Sequence, residues 1–391
     1  MAKGRGGFIG QDGLNAPDSP TGVSASAGDA QATVSFTAPT DVGGSAITGF
    51  RAQSNTGVGA SGSSSPITVT GLSNGTAYTF NVWAINEFGY SAPSDASTSI
   101  SPSLQRALFA GGRDNSQNIQ TDMDYVDITS TGNAQDFGDL LSTNASQYPA
   151  GCGSSTRSII FGGDNVNDIV YVTIGTLGNA VDFGDLTSSV NGFVGALSNS
   201  TRAVASGGFR SGTYSNIIEY VTIANTGNTT DFGDLTQGRY GLRGLASPTR
   251  GINCGGNLNG VEQDTIDYIT IASTGNATDF GDALTSIRDG AAFSSDTRGI
   301  YGGGLSTNVI QYLTIASTGN MTDFGDLGAS MTNGGCGASS NTRGLFTMYS
   351  QSDNRIEYIT IASTGNTQDF GNLTYSRIRG AAASSAHGGL Q

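Results

Sequence analysis

The sequence feature that most constrains the fold is a tripeptide that recurs six times after residue 104. The tripeptide is Asp-Phe-Gly, and successive copies start 44 to 49 residues apart. Repetition at a fixed period of this length is typical of repeat architectures. The six copies start at Asp136, Asp182, Asp231, Asp279, Asp323 and Asp369. Each follows an apolar run that contains a tyrosine, at Tyr125, Tyr171, Tyr220, Tyr268, Tyr312 and Tyr358.

Each repeat contains four short strand candidates, which we expect to be separated by Gly-Gly, Thr-Gly-Asn and Gly-Asp turns. Four strands in ~45–50 residues is the size of a propeller blade. The first repeat lacks the small-residue strand that precedes the others, and the C-terminal run Arg379-Gly-Ala-Ala-Ala-Ser-Ser supplies one. Since the chain has no long helix-period stretch, the sequence predicts an all-β protein. Residues 104–391 are predicted to form a six-bladed β-propeller closed by a C-terminal strand.

The repeat resembles the kelch repeat. It combines an apolar strand ending in Gly-Gly, as in Arg157-Ser-Ile-Ile-Phe-Gly-Gly, with a tyrosine strand and an aromatic strand. Phenylalanine takes the place of the usual kelch tryptophan, at Phe137, Phe183, Phe232, Phe280, Phe324 and Phe370. The resemblance implies the propeller architecture.

Residues 17–101 have a different pattern of short alternating runs separated by turn signals. Phe80, Val82 and Ala84 follow Tyr78 at a period of two, which places them on one face of a strand. Leu72-x5-Tyr78, followed by Val82 and Ala84, resembles the tyrosine corner and closing strands of fibronectin type III modules. Phe36 stands where that family usually has a tryptophan. The resemblance implies a spacer or adhesion module without chemistry.

Residues 1–16 form a glycine-rich tail that is too short to hold a core. Two interpretations stay open, a disordered leader or a peptide that docks on a partner through Arg5, Phe8, Ile9 and Leu14. The run from Arg5 to Thr21, together with the following module and the Asp-Phe-Gly-Asp-Leu repeats, resembles a family of virion proteins from tailed phages, especially marine phages. This resemblance implies that the N-terminus attaches to other virion proteins and that the propeller is displayed outward.

Charge and composition exclude several classes of function. The formal net charge is −14 and no basic stripe is visible, which argues against nucleic-acid binding. The N-terminus lacks the apolar region of a signal peptide, and no run of ~18 apolar residues predicts a membrane span. The three cysteines, Cys152, Cys254 and Cys336, form no metal or disulfide pattern and are expected in strands. These absences agree with what the resemblance to virion proteins implies, a protein assembled in the host cytoplasm without membrane insertion.

Residues found in every repeat are expected to serve folding rather than catalysis. Five aspartates after Asp-Phe-Gly are expected to cap Gly-Asp turns, namely Asp139, Asp185, Asp234, Asp282 and Asp326. The first aspartates of the tripeptides are expected to bond backbone amides or pair with Arg157, Arg202, Arg250, Arg298 and Arg343. The rival hypothesis, a ring of calcium sites, lacks a dense Asp-x-Asp-x-Asp loop. Since the chain has one histidine, His387, we expect no enzyme, no metal and no cofactor.

Variable loops are the expected binding surface, because loops that vary on a repeated scaffold commonly carry recognition. They are residues 113–124, 209–216 and 257–267, and their polar composition suits a glycan or another protein. The predicted function is a structural or adhesion component of a phage virion, tail-associated and part of a homo-oligomer or larger assembly. The alternatives are a capsid-attached decoration or head fibre protein, and a cellular kelch-type interaction scaffold.

Overall fold

The computed structural model describes residues 15–114, 116–142, 147–192, 194–332, 334–347 and 354–390. The protein divides into two compact units, Met1–Leu104 and Gln105–Gln391. Throughout these described ranges the regular structure is β, apart from one 3₁₀ turn at Gly388–Leu390, and the fold class is all-β as predicted. No helix in the described ranges is long and apolar enough to span a membrane.

The first unit contains two antiparallel sheets, with strand orders β1-β2-β5 and β4-β3-β6-β7. Along these strands every second residue is buried, as the period of two predicts. Val34, Phe50, Phe80 and Val82 are examples, and they belong to one hydrophobic core. The seven strands are β1 (Thr21–Gly28), β2 (Gln31–Thr37), β3 (Gly49–Ser54), β4 (Gly59–Gly62), β5 (Ile67–Thr70), β6 (Phe80–Asn86) and β7 (Gly89–Tyr90).

The second unit contains six four-stranded antiparallel sheets, one for each sequence repeat. Sheet 1 combines β8 (Arg106–Ala110), β9 (Asp122–Asp127) and β10 (Gln135–Asp139) with the C-terminal strand β35 (Ala381–Ser384), which pairs with β8. Sheet 2 contains β11 (Ala150–Gly153), β12 (Arg157–Phe161), β13 (Val166–Thr173) and β14 (Val181–Val190). Sheet 3 contains β15 (Gly195–Ser198), β16 (Arg202–Ser206), β19 (Ile217–Thr222) and β20 (Thr230–Asp234).

The other three sheets follow the same order along the chain. Sheet 4 contains β21 (Arg243–Ala246), β22 (Arg250–Cys254), β25 (Thr265–Thr270) and β26 (Thr278–Asp282). Sheet 5 contains β27 (Ala291–Ser294), β28 (Arg298–Gly302), β29 (Thr307–Thr314) and β30 (Thr322–Met331). Sheet 6 contains β31 (Gly337–Ser339), β32 (Arg343–Thr347), β33 (Arg355–Thr360) and β34 (Gln368–Asn372). Two small ribbons extend from sheets 3 and 4: β17 (Phe209–Arg210) with β18 (Thr213–Tyr214), and β23 (Asn257–Leu258) with β24 (Val261–Glu262).

The Asp-Phe-Gly tripeptides lie within strands, so the prediction of Gly-Asp turns at these positions is wrong. Each glycine sits at a bulge in the last strand pair of its sheet, with φ between +139° and +150°. A Cβ on Gly281 would lie 2.6 Å from the carbonyl carbon and oxygen of Gly319 in the next sheet. Glycine is therefore required both by the backbone conformation and by the close approach of the neighbouring sheet.

The repeated arginines join neighbouring sheets, which corrects the prediction that they pair with the Asp-Phe-Gly aspartates. Each guanidinium lies 4.2 to 4.8 Å from the ring centre of the tyrosine in its own sheet. Each also donates to an isoleucine carbonyl of the next sheet at 2.7 to 3.0 Å, and Arg343 of sheet 6 donates to Ile128 of sheet 1. The tripeptide aspartates, such as Asp136 and Asp279, are exposed.

The Gly-Asn turns repeat a second connection between sheets. Each turn glycine donates its N–H to the carbonyl of the Asp-Phe-Gly phenylalanine in the preceding sheet. The turn asparagine accepts, through Oδ1, the N–H of the residue after that tripeptide at 3.0 to 3.1 Å. Gly132 and Asn133 of sheet 1 make these bonds to Phe370 and Asn372 of sheet 6. The same bonds therefore connect each sheet to the next and the sixth to the first.

Candidate binding surface

The antiparallel order gives the second unit two ends with different residues. The Gly-Asn turns and the serine-rich turns after each first strand lie at one end, here called the turn end. The glycine-pair hairpins and the loops that lead to the next sheet lie at the other, here called the hairpin end. Residues common to all repeats dominate the turn end, whereas the variable loops lie at the hairpin end.

The first strands β35, β11, β15, β21, β27 and β31 line a cavity of about 50 Å³. Serine hydroxyls connect several of these strands, since Ser294 donates to Ala246 O at 2.6 Å and Ser339 donates to Ser294 O at 2.8 Å. Ser384 donates to Ser339 O at 2.6 Å. These hydroxyls are thus used in joining neighbouring strands.

His387 lines this cavity at the turn end. Its Nδ1 accepts the N–H of Gly389 at 3.1 Å, so the proton of the neutral ring lies on Nε2, which donates to Gly153 O at 2.8 Å. Burial lowers the pKa of His387, and the bond to Gly153 opposes that shift. Ser198 Oγ is 3.2 Å from Nε2 but donates to Gly153 O. Because Nδ1 faces an amide rather than a carboxylate, this pair lacks the third member of a catalytic triad.

Five equivalent loop positions at the hairpin end form a chain of backbone hydrogen bonds. Asp289 donates to Gly241, Gly334 to Asp289, Arg379 to Gly334 and Tyr148 to Arg379, at 2.8 to 3.0 Å. All five have left-handed φ values between +57° and +74°, including the non-glycine residues Tyr148, Asp289 and Arg379. Three strained residues at equivalent positions mark a place where the surrounding structure imposes the backbone conformation.

The side chains at this place form a polar cluster, which we call the arginine mouth: Arg243, Arg288, Asp289, Arg379 and Tyr148. Arg288 is 3.1 Å from both Asp289 and Glu262. Arg379 lies 4.8 Å from the centre of the Tyr148 ring. Arg243 donates to Gly290 O at 2.6 Å.

Asp289 is the buried acceptor of the arginine mouth. It is 9 % exposed, and its Oδ1 is buried without a hydrogen-bond partner. Burial raises the pKa of Asp289, against the opposing effect of Arg243, Arg288 and Arg379. A buried carboxylate oxygen with unused acceptor capacity is a place where a ligand or water donor is favoured.

An aromatic stack adjoins the mouth through Tyr240, the residue before Gly241. Tyr240 stacks on Tyr214 with ring centres 5.8 Å apart and planes at 29°, and Phe209 contacts Tyr214 edge to face at 5.2 Å. Phe209 also lines an open groove with Asn165 and Asn191. Aromatic faces beside amide groups are suited to binding a ligand that has both apolar and hydroxyl surfaces.

Buried ion pairs fix the loops that carry these residues. Arg239 is 2.9 Å from Asp267, and both side chains are fully buried. Equivalent strand positions place Asp124 beside Arg377 at 3.5 Å, and Glu219 contacts Arg210. This role is not among the predictions from the sequence, although an acid immediately before the repeated tyrosine is the signal for it: Asp124, Glu219 and Asp267. Gln311 and Glu357 hold the same strand position and accept the N–H of Leu284 and of Gly328.

The predicted site residues fall in three places. The variable loops 113–124, 209–216 and 257–267 lie at the hairpin end, except that residue 115 is outside the described residues, and two of them contain the small ribbons. The predicted docking residues Arg5, Phe8, Ile9 and Leu14 lie outside the described residues. The three cysteines are buried and unbonded to one another, and burial raises the pKa of Cys152 to about 12. Within the described ranges, no group of three His, Cys, Asp or Glu side chains is close enough to hold a metal ion.

Comparison with known proteins identifies part of the first unit. Residues 18–100 match the family model of the fibronectin type III domain. These residues form a fibronectin type III domain. The chain is also similar to a crystal structure of domains A168-A170 from titin, at 32% identity over 22% of this chain and 32% of the titin chain, with a TM-score of 0.21. The match thus spans about a third of that titin structure. No curated protein matches the chain.

The fibronectin type III domain contains the tyrosine corner that its sequence predicts. Tyr78 is 5 % exposed, and its hydroxyl accepts the N–H of Ser73 at 3.0 Å. Phe36, in the place of the usual tryptophan, packs against Phe50 with ring centres 4.8 Å apart. The smaller aromatic residue is therefore accommodated by a partner ring in the core.

Proposed function

We propose that the six sheets are the blades of a closed, kelch-like β-propeller and that its hairpin end is a non-catalytic binding surface. Closure is supported by the hydrogen bonds that link sheet 6 to sheet 1 in the same way as every other pair of neighbours. The pairing of β35 with β8 also covers what would otherwise be an open edge.

One observation carries the functional proposal: repeated and non-repeated residues are used differently. The repeated arginines, tyrosines and glycines join neighbouring sheets. The non-repeated residues Phe209, Tyr214, Tyr240, Arg288 and Arg379 gather at the hairpin end. The repeated residues thus hold the sheets together, and the residues that differ between repeats lie at one end. This is the organisation of a recognition scaffold.

The ligand class that suits this surface best is a glycan. Ring faces at Tyr214 and Tyr240 offer stacking surfaces, and Asn165 and Asn191 line the neighbouring groove. Sugars present apolar ring faces and hydroxyls together, so this combination suits them. A protein partner is the second candidate, because tyrosine is also common in protein interfaces.

A glycan array probed with the full chain tests the binding proposal. A Tyr214→Ala/Tyr240→Ala variant should lose about tenfold or more in affinity, the effect of removing an aromatic hot spot. The matched control is Leu177→Thr at the turn end, an exposed position where the other repeats have threonine. Binding that is equal in all three proteins would overturn the assignment of the hairpin end.

We further propose that the protein works as an adhesion component of a phage virion, attached through residues 1–16, with the fibronectin type III domain as a spacer. The support is the resemblance of the N-terminal sequence to tailed-phage virion proteins. Antibody labelling of purified particles tests this proposal. Label on the tail supports a tail-associated protein, label on the head supports the capsid-attached alternative, and unlabelled particles support the cellular scaffold.

A further inference from the structure

We propose that the arginine mouth binds the carboxylate of an acidic glycan. This inference rests on the proposed function, because it assigns a ligand class to the same hairpin end. Arg379 and Arg243 form the cationic side of the site, and Asp289 is the acceptor for a sugar hydroxyl.

The use of arginine in the second unit sets these residues apart. Six arginines join neighbouring sheets, and Arg210, Arg239 and Arg377 are buried in ion pairs. Arg379 has other partners: its guanidinium contacts the Tyr148 ring and the Gln147 amide oxygen, and in the part of the chain that the structure describes it forms no ion pair. A partly exposed guanidinium that is held in place but not neutralised is suited to bidentate binding of a carboxylate.

The local charge contrasts with that of the whole chain. The protein has a formal net charge of −14, yet three arginines from sheet 4 and the loops after sheets 4 and 6 lie close enough to Asp289 to influence its pKa. Against these three arginines stand two carboxylates, Asp289 and Glu262, both of which pair with Arg288. The small positive excess attracts an anionic group locally, whereas the acidic remainder of the protein repels polyanions. This distribution favours a small, defined anion over a nucleic acid.

Asp289 favours an acidic sugar over a fully deprotonated anion such as sulfate. Its Oδ1 is buried and accepts no hydrogen bond, so the site has an unused acceptor beside its donors. Sulfate has no hydroxyl to donate to it, whereas a sugar acid has a carboxylate and hydroxyls on one ring. The Tyr240 ring, one residue before Gly241, then offers a stacking surface for an adjacent sugar.

The test uses the full chain and pairs of oligosaccharides. The probes are oligomers of galacturonate, guluronate and sialic acid, each compared with its carboxyl-reduced form by calorimetry. We expect at least one acidic probe to bind at least about tenfold more tightly than its reduced partner, and to weaken as salt is raised. Equal binding within every pair, or tighter binding of a glutamate-rich peptide than of any acidic sugar, would overturn the proposal.

Two variants separate this inference from the proposed function. Arg379→Gln should remove about tenfold of the affinity for the acidic probe and leave the reduced probe unchanged. Arg51→Gln removes the same charge from the fibronectin type III domain and should change neither, and thermal melts establish that both variants fold. If the Tyr214→Ala/Tyr240→Ala variant loses binding while Arg379→Gln does not, the proposed function stands and the carboxylate site is wrong. If neither variant changes binding, both proposals fail.

Discussion

Each repeat combines three side chains into one connection between sheets. In sheet 4, the Arg250 guanidinium lies 4.4 Å from the Tyr268 ring centre, and the Tyr268 ring meets Phe280 edge to face at 6.0 Å. Arg250 also donates to Ile315 O of sheet 5 at 2.8 Å. A planar cation on an aromatic face contributes about 0.5–2 kcal/mol. Lysine cannot replace arginine here without losing the planar stacking.

The bulge glycines provide a test of the close approach between sheets. Gly281→Ala should destabilise the protein by about 1–3 kcal/mol through left-handed strain, and by a further ~1–3 kcal/mol because its Cβ would overlap the Gly319 carbonyl. Gly319→Ala is the matched control, because Gly319 also has positive φ but open space around its Cβ position. Denaturant unfolding should rank Gly281→Ala as the more destabilised variant, and equal losses would contradict the role of the contact.

The fully buried pair Arg239–Asp267 gives a second residue-scale prediction. Asp267→Asn leaves Arg239 uncompensated, and burial already lowers the pKa of Arg239. We expect a loss of about 3–5 kcal/mol in the free energy of unfolding. The double variant Arg239→Met/Asp267→Leu should recover most of that loss. If the double variant is as unstable as Asp267→Asn, the unpaired charge of Arg239 is not the cause of the loss.

The C-terminal turn is an element whose stability should depend on pH. Neutral His387 accepts the N–H of Gly389 through Nδ1, and a proton on Nδ1 removes that bond. Burial holds the pKa of His387 below its ordinary 6.5. The neutral ring therefore contributes fully to the free energy of unfolding above pH 6.5. That contribution is lost as the pH falls from 6.5 through the lower pKa that His387 has in the folded protein.

Imidazole NMR measures this directly, because His387 is the single histidine of the chain. The ring signals should titrate with a pKa below 6.5, and the protection factor of the Gly389 amide, its exchange relative to the intrinsic rate at each pH, should fall over the same pH range. His387→Gln should remove that step from the exchange profile. A titration at or above 6.5 would contradict the buried, neutral ring.

Elements differ in how far their sequence predicts them. The four strands of each repeat follow from local apolar runs and glycine pairs, and the tyrosine corner follows from the spacing of Leu72 and Tyr78. The Gly-Asp pairs of the tripeptides are predicted as turns, because Gly-Asp is a common turn signal, but they lie within the last strand of each sheet, where the contact that bends the chain comes from the next sheet. The arginine mouth was not predicted either, since Tyr148, Asp289 and Arg379 share no motif and meet only through the arrangement of separate loops.

At the scale of the whole molecule, cyclic contacts make each sheet depend on two neighbours. In the proposed ring, sheet 1 is completed by β35, which comes from the opposite end of the unit's sequence. Its closure brings together residues more than 200 positions apart, such as Arg343 and Ile128. Interfaces that are all equivalent favour cooperative unfolding of the ring rather than the loss of one sheet.

Deletion of residues 379–391 removes β35 and tests this cooperativity. Because β8 then becomes an unpaired edge and the first strands lose one member, we expect hydrogen–deuterium exchange to increase in all six sheets, including β21, β22, β25 and β26. The fibronectin type III domain should keep its protection and serves as the internal control. Deletion of residues 388–391 keeps β35 and His387, and should raise exchange only near the turn end. Increased exchange confined to sheet 1 would mean that the six sheets behave as separate units, and a closed ring would then be the wrong description of the molecule.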